Sequence, residues 1–558
     1  MGYISPADRH QTVLFTSLDQ AVASDHVIRL VDQLIDSIVD ADLDFFLDRG
    51  KSHEGRPAYH PKVFLKLYIY GALNGISSSR KLERACRMNL EVMWLLGRLA
   101  PDFKTIADYR KDQGDQIKAV FLRVNHFLKH QGLIRGKISS LDGSKVRAYA
   151  SQSVSRESLE KLLAEEKQML EKYLAALQLA DDQAEDEEPD DPWAGVGASP
   201  EEITLMGAIE ESKERIDAAE ELLAKAEGNE QTRINTTDPD ARLMKGREGK
   251  HWSYNIQSHV DEAHGLISEI EATSSGSDRP ELIPSMKRLF ERMGIAPGLL
   301  LADMGYSLLQ KILALQSGEV PGLPAIDCFI PLQQPIQEKR QEEHGIEFSY
   351  DPELDHYTCT QGQKLKNTGS EKVDNARGTK AMIYQADDCR SCPLKPHCAP
   401  RAKIARSIYR YSDQHARDAY KEKVKSADAK FWRTLRFALS EHPFGTLKYW
   451  MGKIPLWLRG SEKVNTEVKI YATAYNILRS ANILSVEEMI KRAKEYDWKA
   501  DAERLARTFL ASWTTLARRF SHHPANSRPW GPFLSFWITS ARRFSCHPLH
   551  PLKKIRLA

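Results

Sequence analysis

Cysteine is scarce in this sequence, and long apolar runs are missing from it. The 558 residues include seven cysteines, an odd number that suits a reducing, cytoplasmic setting better than a disulfide framework. No stretch approaches about 18 uncharged apolar residues, which excludes a membrane-spanning helix, and the first residues lack an apolar signal core and a myristoylation motif. Hydrophobic residues make up 41% and charged residues 28%, so the composition excludes wholesale disorder and favours a soluble protein of several domains.

Net charge is also low, at +2, but it is distributed unevenly. Residues 153–232 contain 23 acidic and seven basic side chains, a net charge of −16, whereas residues 501–558 contain two acidic and ten basic ones, a net charge of +8. Without the acidic block the chain is clearly basic, which favours a polyanionic partner, most plausibly nucleic acid. Ordinary solvated surface charge is the alternative explanation.

The N-terminal residues have the hydrophobic spacing of helices. A helix is predicted over 61–73, where Asn74-Gly75 ends it, and a second helix begins after the serines at 77–79. Three arginines share one face of the second helix, because three and four residues are helical steps: Arg80, Arg84 and Arg87. Helix, short glycine turn and basic helix outline a helix-turn-helix, so these arginines are candidate DNA contacts. A merely solvated basic face remains the alternative.

Beyond residue 135 the pattern changes to strands alternating with helices. A strand with a turn at Asp142-Gly143 comes first, a β-hairpin is predicted at about 250–273, and a short apolar run ends at Asp303. A helix is predicted around 428–441 and another over 463–478. The predicted segments are a helical N-terminal domain (1–135), a core in three pieces (136–152, 233–331 and 426–500), an acidic helical hairpin (153–232), a cysteine-rich insertion (332–425) and a basic, disordered tail (501–558).

Three acidic residues stand at places where a sheet presents an active site. Asp142 and Asp303 end predicted strands, and Glu441 lies on a predicted helix. Carboxylates brought together repel one another, and divalent cations with oxygen ligands remove that cost. Two Mg²⁺ ions can activate a hydroxyl and stabilise a leaving oxygen in phosphodiester chemistry. Each acid alone also has an ordinary explanation, as a turn residue, a cap or a solvated helical side chain.

Three motifs surround these acids. They are Leu141-Asp142-Gly-Ser-Lys-Val-Arg-Ala148, Leu301-Ala-Asp303-Met-Gly-Tyr306 and Glu441-His-Pro-Phe-Gly-Thr-Leu-Lys448. Together they resemble the motifs of bacterial insertion-sequence transposases of the DDE type, and Tyr59 to Arg110 resembles the N-terminal domain of that family. The tail after about residue 500 has no counterpart there. The resemblance implies an α/β fold with an RNase H-like core, in which a mixed five-stranded sheet and its helices are interrupted by the two insertions.

The resemblance also implies residue roles. Asp142, Asp303 and Glu441 would be catalytic and would bind two Mg²⁺ ions, or Mn²⁺ in their place. Further DNA contacts would be Lys145, Arg147, Arg436 and Lys448. The implied activity is cleavage at element ends and strand transfer into double-stranded target DNA, by a homo-oligomer in the DNA complex. A related nuclease without strand transfer and a catalytically decayed DNA-binding protein are the alternatives.

Four of the seven cysteines lie in the predicted insertion. Cys389 and Cys392 are two residues apart in the manner of a zinc site, Cys398 follows after a looser gap, and Cys359 lies upstream. They could supply four thiolates to one zinc ion, with His356 and His397 as spare candidates, or they could remain unligated reduced thiols. Cys86, Cys328 and Cys546 are predicted to be ordinary buried or tail residues.

Overall fold

The structure is a computed structural model of the whole chain. It describes residues 17–47, 58–150, 152–186, 200–226, 233–246, 249–374, 379–452 and 456–505. The chain divides into a compact unit, Met1–Trp498, and a second unit, Lys499–Ala558. Most of the predicted disordered tail, from residue 506 onward, lies outside the described residues.

The N-terminal part of the described chain is helical, as predicted. Its helices are α1 (Val27–Asp40), α2 (Leu43–Phe46), α3 (Pro61–Leu73), α4 (Ser79–Met88), α5 (Leu90–Leu95), α6 (Phe103–Asp112) and α7 (Gly114–His130). Pro61 occupies the first turn of α3, where the missing N–H has no intrahelical partner to lose. Gly75 follows α3 with φ 65°, a backbone conformation that glycine adopts without strain. The helix predicted over 61–73, the turn after it and the basic helix that begins near the serines at 77–79 are confirmed.

Strands and helices alternate from residue 138. The strands are β1 (Ile138–Arg147), β2 (Ser153–Ser155), β3 (Arg233–Asn235), β4 (Arg242–Gly246), β5 (Gly249–Asp261), β6 (Ile267–Thr273), β7 (Leu299–Ala302) and β8 (Asp327–Phe329). The helices are α8 (Arg156–Asp186), α9 (Pro200–Ala226), α10 (Leu282–Met293) and α11 (Leu309–Ser317). The predicted hairpin at about 250–273 is confirmed as β5 and β6.

A mixed sheet forms the centre of this part, and the predicted α/β class is confirmed. Its order is β4-β5-β1-β7-β8, and β6 pairs with β5. β1 is antiparallel to β5 but parallel to β7, which is parallel to β8. The sheet has six strands instead of five, because β5 has 13 residues and pairs with β4 near its start and with β6 near its end.

The predicted turn at Asp142-Gly143 is wrong. β1 continues through both residues to Arg147, because β5 pairs with it without interruption from Ser139 to Arg147. Asp-Gly is a common turn sequence, but here the long neighbouring strand supplies backbone partners for both residues. Asp142 therefore lies within a strand, one residue beyond the last pair that joins β1 to β7.

The acidic block contains the two predicted helices, α8 and α9. They pack side by side and are joined by ion pairs such as Lys167–Glu220, with 2.6 Å between Nζ and Oε1. A small hydrophobic core of Leu159, Ala219 and Ile234 lies at their base, where β2 pairs with β3. This core is separate from the main one.

Residues 332–425, predicted only as a cysteine-rich insertion, contain a second sheet. Its strands are β9 (Phe348–Asp351), β10 (His356–Cys359), β11 (Lys364–Asp374), β12 (Thr379–Ala386) and β13 (Ser407–Tyr411). They pair antiparallel in the order β13-β12-β11-β10-β9 around a core of five buried residues. The helices of this region are α12 (Ile336–Glu343), α13 (Lys395–Cys398) and α14 (Gln414–Lys425).

Three helices follow: α15 (Ala429–Met451), α16 (Ser461–Leu484) and α17 (Val486–Glu495). α15 extends beyond the predicted 428–441 and contains Pro443 in its interior. Among the helices of the described residues, none is long and apolar enough to span a membrane.

Helix α16 protects the free edge of β6. Asn465 and Asn476 on α16 each accept a hydrogen bond from a β6 backbone N–H, that of Ala272 at 2.6 Å and that of Ile267 at 2.9 Å. Asn125 on α7 adds a hydrogen bond from its Nδ2 to the Ile267 carbonyl at 3.0 Å. These buried amides replace the strand partner that an edge otherwise leaves unpaired. The N-terminal helices and the central sheet consequently share one hydrophobic core.

Candidate active site

Adjacent parallel strands place Asp142 beside Asp303. The last residue pair that joins β1 to β7 is Leu141 with Ala302, so the next residue on each strand is an aspartate. Asp303 directly follows β7, close to the predicted strand end, and its carboxylate Oδ1 accepts a hydrogen bond from the Gly305 N–H at 2.8 Å. Asp142 accepts one from the Gly143 N–H at 2.9 Å. The structure thus brings the first two predicted acids together.

Burial makes the negative charge of this pair unfavourable. The pKa of Asp142 is raised to about 6, and burial is the largest cause. The Arg436 guanidinium and the Gly143 N–H oppose this rise, whereas the Asp303 and Asp278 carboxylates add to it. The pKa of Asp303 is also raised, first by burial and then by Asp278. Arg436 Nη1 lies 3.8 Å from Asp142 Oδ2 and compensates only part of this charge. The site therefore has an excess of negative charge.

Asp278 is a third carboxylate at this place, and the sequence analysis missed it. Its Oδ1 accepts hydrogen bonds from Asn255 Nδ2 at 2.7 Å and from Gln257 Nε2 at 2.9 Å, both on β5. Gln257 in turn accepts a hydrogen bond from the Tyr306 hydroxyl. In the sequence, Asp278 stands in a polar turn after β6, and no recognisable motif around it indicated a functional role.

Two glycines give Asp278 room. A Cβ atom at residue 143 would lie 2.1 Å from Asp278 Oδ1, and one at residue 305 would lie 3.2 Å from Asp278 Oδ2. Glycine is required at 143 because a contact of 2.1 Å is far inside van der Waals distance. Each glycine belongs to one of the two aspartate motifs, so the motifs meet at Asp278.

Glu441 lies exposed on α15, and no contact among the described residues joins it to the two aspartates. Ser440 is fully buried, and its Oγ lies 2.9 Å from Ser140 Oγ on β1, which fixes the face that α15 turns toward the sheet. The next residue is rotated by about 100° around the helix, and Glu441 is exposed. Within the described residues, it has no hydrogen bond or ion pair to Asp142 or Asp303. The convergence of all three acids stays a prediction.

The residues predicted to contact DNA are mostly on the surface. Arg80, Arg84 and Arg87 are exposed on α4; the Arg80 guanidinium lies 4.9 Å from the Phe103 ring centre, and Arg87 pairs with Glu83 at 2.8 Å. Three more residues are exposed: Lys145, Arg147 and Lys448. Arg436 is half-buried beside Asp142. The arginines of α4 and the three exposed residues of the second set are accessible to a polyanion, but their DNA contacts remain predictions.

The four predicted cysteines lie around one cavity in the second sheet. Its wall includes Cys359, Cys389, Cys392 and Cys398. The pKa of the Cys398 thiol is raised, mainly by burial. The positive charge of Arg406 opposes this rise, and the other three cysteines add to it. All four cysteines are reduced.

The chemistry of the aspartate site fits a divalent cation in part. Carboxylate oxygens are the ligands that Mg²⁺ prefers, and a cation would compensate the excess charge that raises the pKa of Asp142. Throughout the described part of the chain, however, no three His, Cys, Asp or Glu side chains are already arranged to hold a metal ion. The donors are therefore present at Asp142 and Asp303, but the ligand shell is incomplete without a further group.

The central sheet presents two half-buried aspartates side by side, and α4 presents exposed arginines. Comparison with known families assigns the class of protein. A transposase domain model (DUF772) matches residues 16–112, and a transposase DDE domain model matches residues 358–481. Together they support an insertion-sequence transposase of the DDE type, which confirms the resemblance found in the sequence and implies DNA binding. No curated protein and no solved structure matches the chain.

Proposed function

We propose that this transposase cleaves DNA at the ends of its insertion element and joins the freed 3′-hydroxyls to double-stranded target DNA. The observation that carries this proposal is the parallel pairing of β1 with β7, which sets Asp142 beside Asp303. The matches to the two transposase domain models support the same reaction.

The core is proposed to be RNase H-like. β1 is flanked by the antiparallel β5 and the parallel β7, and the strand order continues to β6 on one side and β8 on the other, which supports this assignment. The hairpin of α8 and α9 and the second sheet are proposed as insertions. Each has a small hydrophobic core of its own, as an inserted segment needs for stability.

Asp142 and Asp303 are proposed to hold Mg²⁺, or Mn²⁺ in its place, with Glu441 as the third acid. When bound, two such ions supply Lewis-acid stabilisation of the attacking and leaving oxygens. In this proposal, a turn or bend of α15 brings the exposed Glu441 to the aspartates. Pro443 lies two residues further along the helix and cannot donate an intrahelical hydrogen bond, so a bend is least costly there.

The chain's other residues have supporting roles in this proposal. Arg436 stabilises the negative charge next to Asp142 and can contact a DNA phosphate when the carboxylates bind a cation. Asp278 acts as a positioning residue. Its carboxylate accepts hydrogen bonds from the Asn255 and Gln257 side chains on β5 and lies against Gly143 and Gly305 in the two aspartate motifs. Lys145, Arg147 and Lys448 contact phosphates near the cleaved bond, and the arginines of α4 contact the element end. The active form is a homo-oligomer assembled on DNA.

A strand-transfer assay tests the proposal. The full chain is incubated with Mg²⁺, a supercoiled plasmid and a duplex that carries the pre-cut end of the encoding element with a free 3′-hydroxyl. The expected result is a covalently joined product with the wild type and none with Asp142→Asn or Asp303→Asn. Hydrolysis without joining would favour the nuclease, and DNA binding without either reaction would favour the decayed protein.

A further inference from the structure

A cavity in the second sheet is surrounded by thiols from three separate segments of chain. Cys359 ends β10, Cys389 and Cys392 lie on the turn after β12, and Cys398 ends α13. The cavity has a volume of about 30 Å³, which is enough for one ion or water molecule, and the rest of its wall includes apolar side chains such as Phe348 and Leu365.

The backbone presents these cysteines on tight turns. The Gly362 N–H donates to the Cys359 carbonyl at 2.8 Å, and the Cys392 N–H donates to the Cys389 carbonyl at 3.2 Å. Cys389 also donates its N–H to the Ile404 carbonyl at 3.1 Å, which ties its turn to the segment before β13. Two turns that each begin with a cysteine therefore face one cavity, and the turn at Cys389 and Cys392 has the two-residue spacing of a zinc site.

The sheet itself needs a cross-link. Its core contains five buried residues, of which the largest are Tyr357 and Tyr384. So small a core rarely stabilises a sheet without a metal or disulfides. Disulfides are not the cross-link here, because all four cysteines are free. Four sulfur donors around a space of ionic size could cross-link the sheet by binding one metal ion, which free thiols cannot do.

We propose that Cys359, Cys389, Cys392 and Cys398 bind one structural zinc ion as thiolates. Four protein ligands complete the tetrahedral shell of Zn²⁺ and leave no open position, so the ion has no part in catalysis. The side chains now line the wall of the cavity instead of meeting at one point; binding draws the sulfurs inward and releases their protons to solvent.

The two spare histidines are not ligands in this proposal. Neither His356 nor His397 belongs to the wall of the cavity, and the His397 ring lies against His344 with 3.6 Å between ring centres. The proposed site is distinct from the aspartate site on the central sheet, so it can fail without affecting the proposed function.

Metal content of the purified full chain tests the proposal. We expect one zinc per chain by elemental analysis, and release of that zinc to a chromogenic chelator as a mercurial titrates the four thiols. Cys392→Ser and Cys398→Ser should each lose most of the metal. The matched control is Cys86→Ala, a buried cysteine on α4, which should retain it.

A second measurement uses only the wild type, so it tests the proposal even if the cysteine variants fail to fold. The wild type is stripped of metal and loaded with Co²⁺ alone, which should produce the charge-transfer absorption of tetrahedral cobalt thiolate. Folded wild-type protein without zinc, or without the cobalt signature, would overturn the proposal. So would zinc content that is unchanged in folded Cys392→Ser and Cys398→Ser, which would identify the metal as adventitious.

Discussion

At the scale of the residue, Asp142 and Asp303 depend on two neighbours that have no side chain. Gly143 and Gly305 allow the Asp278 carboxylate to approach both aspartate motifs, and Asn255 and Gln257 hold that carboxylate from β5. The sequence predicted Asp142, Asp303 and Glu441 as one group, with Arg436 as a DNA contact; of these, Asp142, Asp303 and Arg436 lie together. It could not predict Asp278, because this contact depends on how the segment after β6 folds back over β5.

Gly143→Ala should disturb the site without unfolding the protein. The added methyl group would meet Asp278 Oδ1 at 2.1 Å, so either Asp278 or β1 must move. A displacement of about 1 Å at an active site can cost on the order of 100-fold in rate, and strand transfer should fall by that order. The control is Gly207→Ala on α9, where an added Cβ has no neighbour within 4 Å and transfer should be unchanged. Normal transfer by Gly143→Ala would contradict the role given to Asp278.

His259 should make the stability of the core depend on pH. It is fully buried on β5, and burial together with the positive charge of Arg288 lowers its pKa to about 3. Below pH ~6.5 the unfolded chain takes up a proton that folded His259 does not, so this contribution to stability is complete above ~6.5 and is lost as the pH falls.

The expected loss is about 1.4 kcal/mol per pH unit below ~6.5, or about 2 kcal/mol by pH 5. Urea unfolding of His259→Gln between pH 7 and 5 should show a correspondingly smaller loss. The exposed His415→Gln variant should retain the wild-type dependence. Equal slopes for His259→Gln and the wild type would show that His259 is not the group responsible.

At the scale of the element, periodicity predicted helices better than it predicted the second sheet. α3 and α4 begin near proline and serine signals, and their positions were predicted closely. Three strands of the second sheet, β9, β10 and β13, have only four or five residues, and the sheet encloses only a small core, so alternation is weak and the sheet was missed. The orientation of Glu441 was equally beyond the sequence, because it depends on which face of α15 packs against β1.

The basic face of α4 should control how DNA binding depends on salt. A triple Arg80/Arg84/Arg87→Ala variant loses up to three phosphate contacts, and each contact adds about 0.9 to the slope of log affinity against log salt concentration. The slope for the element end should therefore decrease by up to about 3. The matched control removes three exposed lysines from α8 in the acidic hairpin: Lys161, Lys167 and Lys172. Equal effects of the two triple variants would mean that only total charge matters.

At the scale of the whole molecule, a buried ion pair connects the N-terminal helices to the C-terminal helices. Arg110 on α6 lies 3.3 Å from Glu467 on α16, and its guanidinium donates to the Ser77 carbonyl at 3.1 Å, just before α4. Glu467 also accepts hydrogen bonds from the backbone N–H groups of Trp457 at 2.7 Å and Leu458 at 2.9 Å. The predicted boundary at residue 135 is therefore crossed by contacts that the sequence did not indicate.

Arg110→Met should destabilise Met1–Trp498 as a whole. Both partners are at most about 10% exposed, and removal of one partner of a buried pair leaves an uncompensated charge that costs ~3–5 kcal/mol. Chemical unfolding should show a loss of this size, and Arg110→Met combined with Glu467→Leu should recover part of it. A loss below about 1 kcal/mol would indicate that solvent reaches the pair.

Replacing each aspartate by cysteine tests most directly whether Asp142 and Asp303 bind the catalytic metal. Mg²⁺ requires oxygen ligands, whereas Mn²⁺ accepts sulfur more readily. We predict that Asp142→Cys and Asp303→Cys are inactive in strand transfer with Mg²⁺ and regain activity with Mn²⁺, while the positioning variant Asp278→Cys does not. Activity of either aspartate variant with Mg²⁺, or equal inactivity with both ions in folded protein, would contradict the assignment of these two carboxylates as metal ligands.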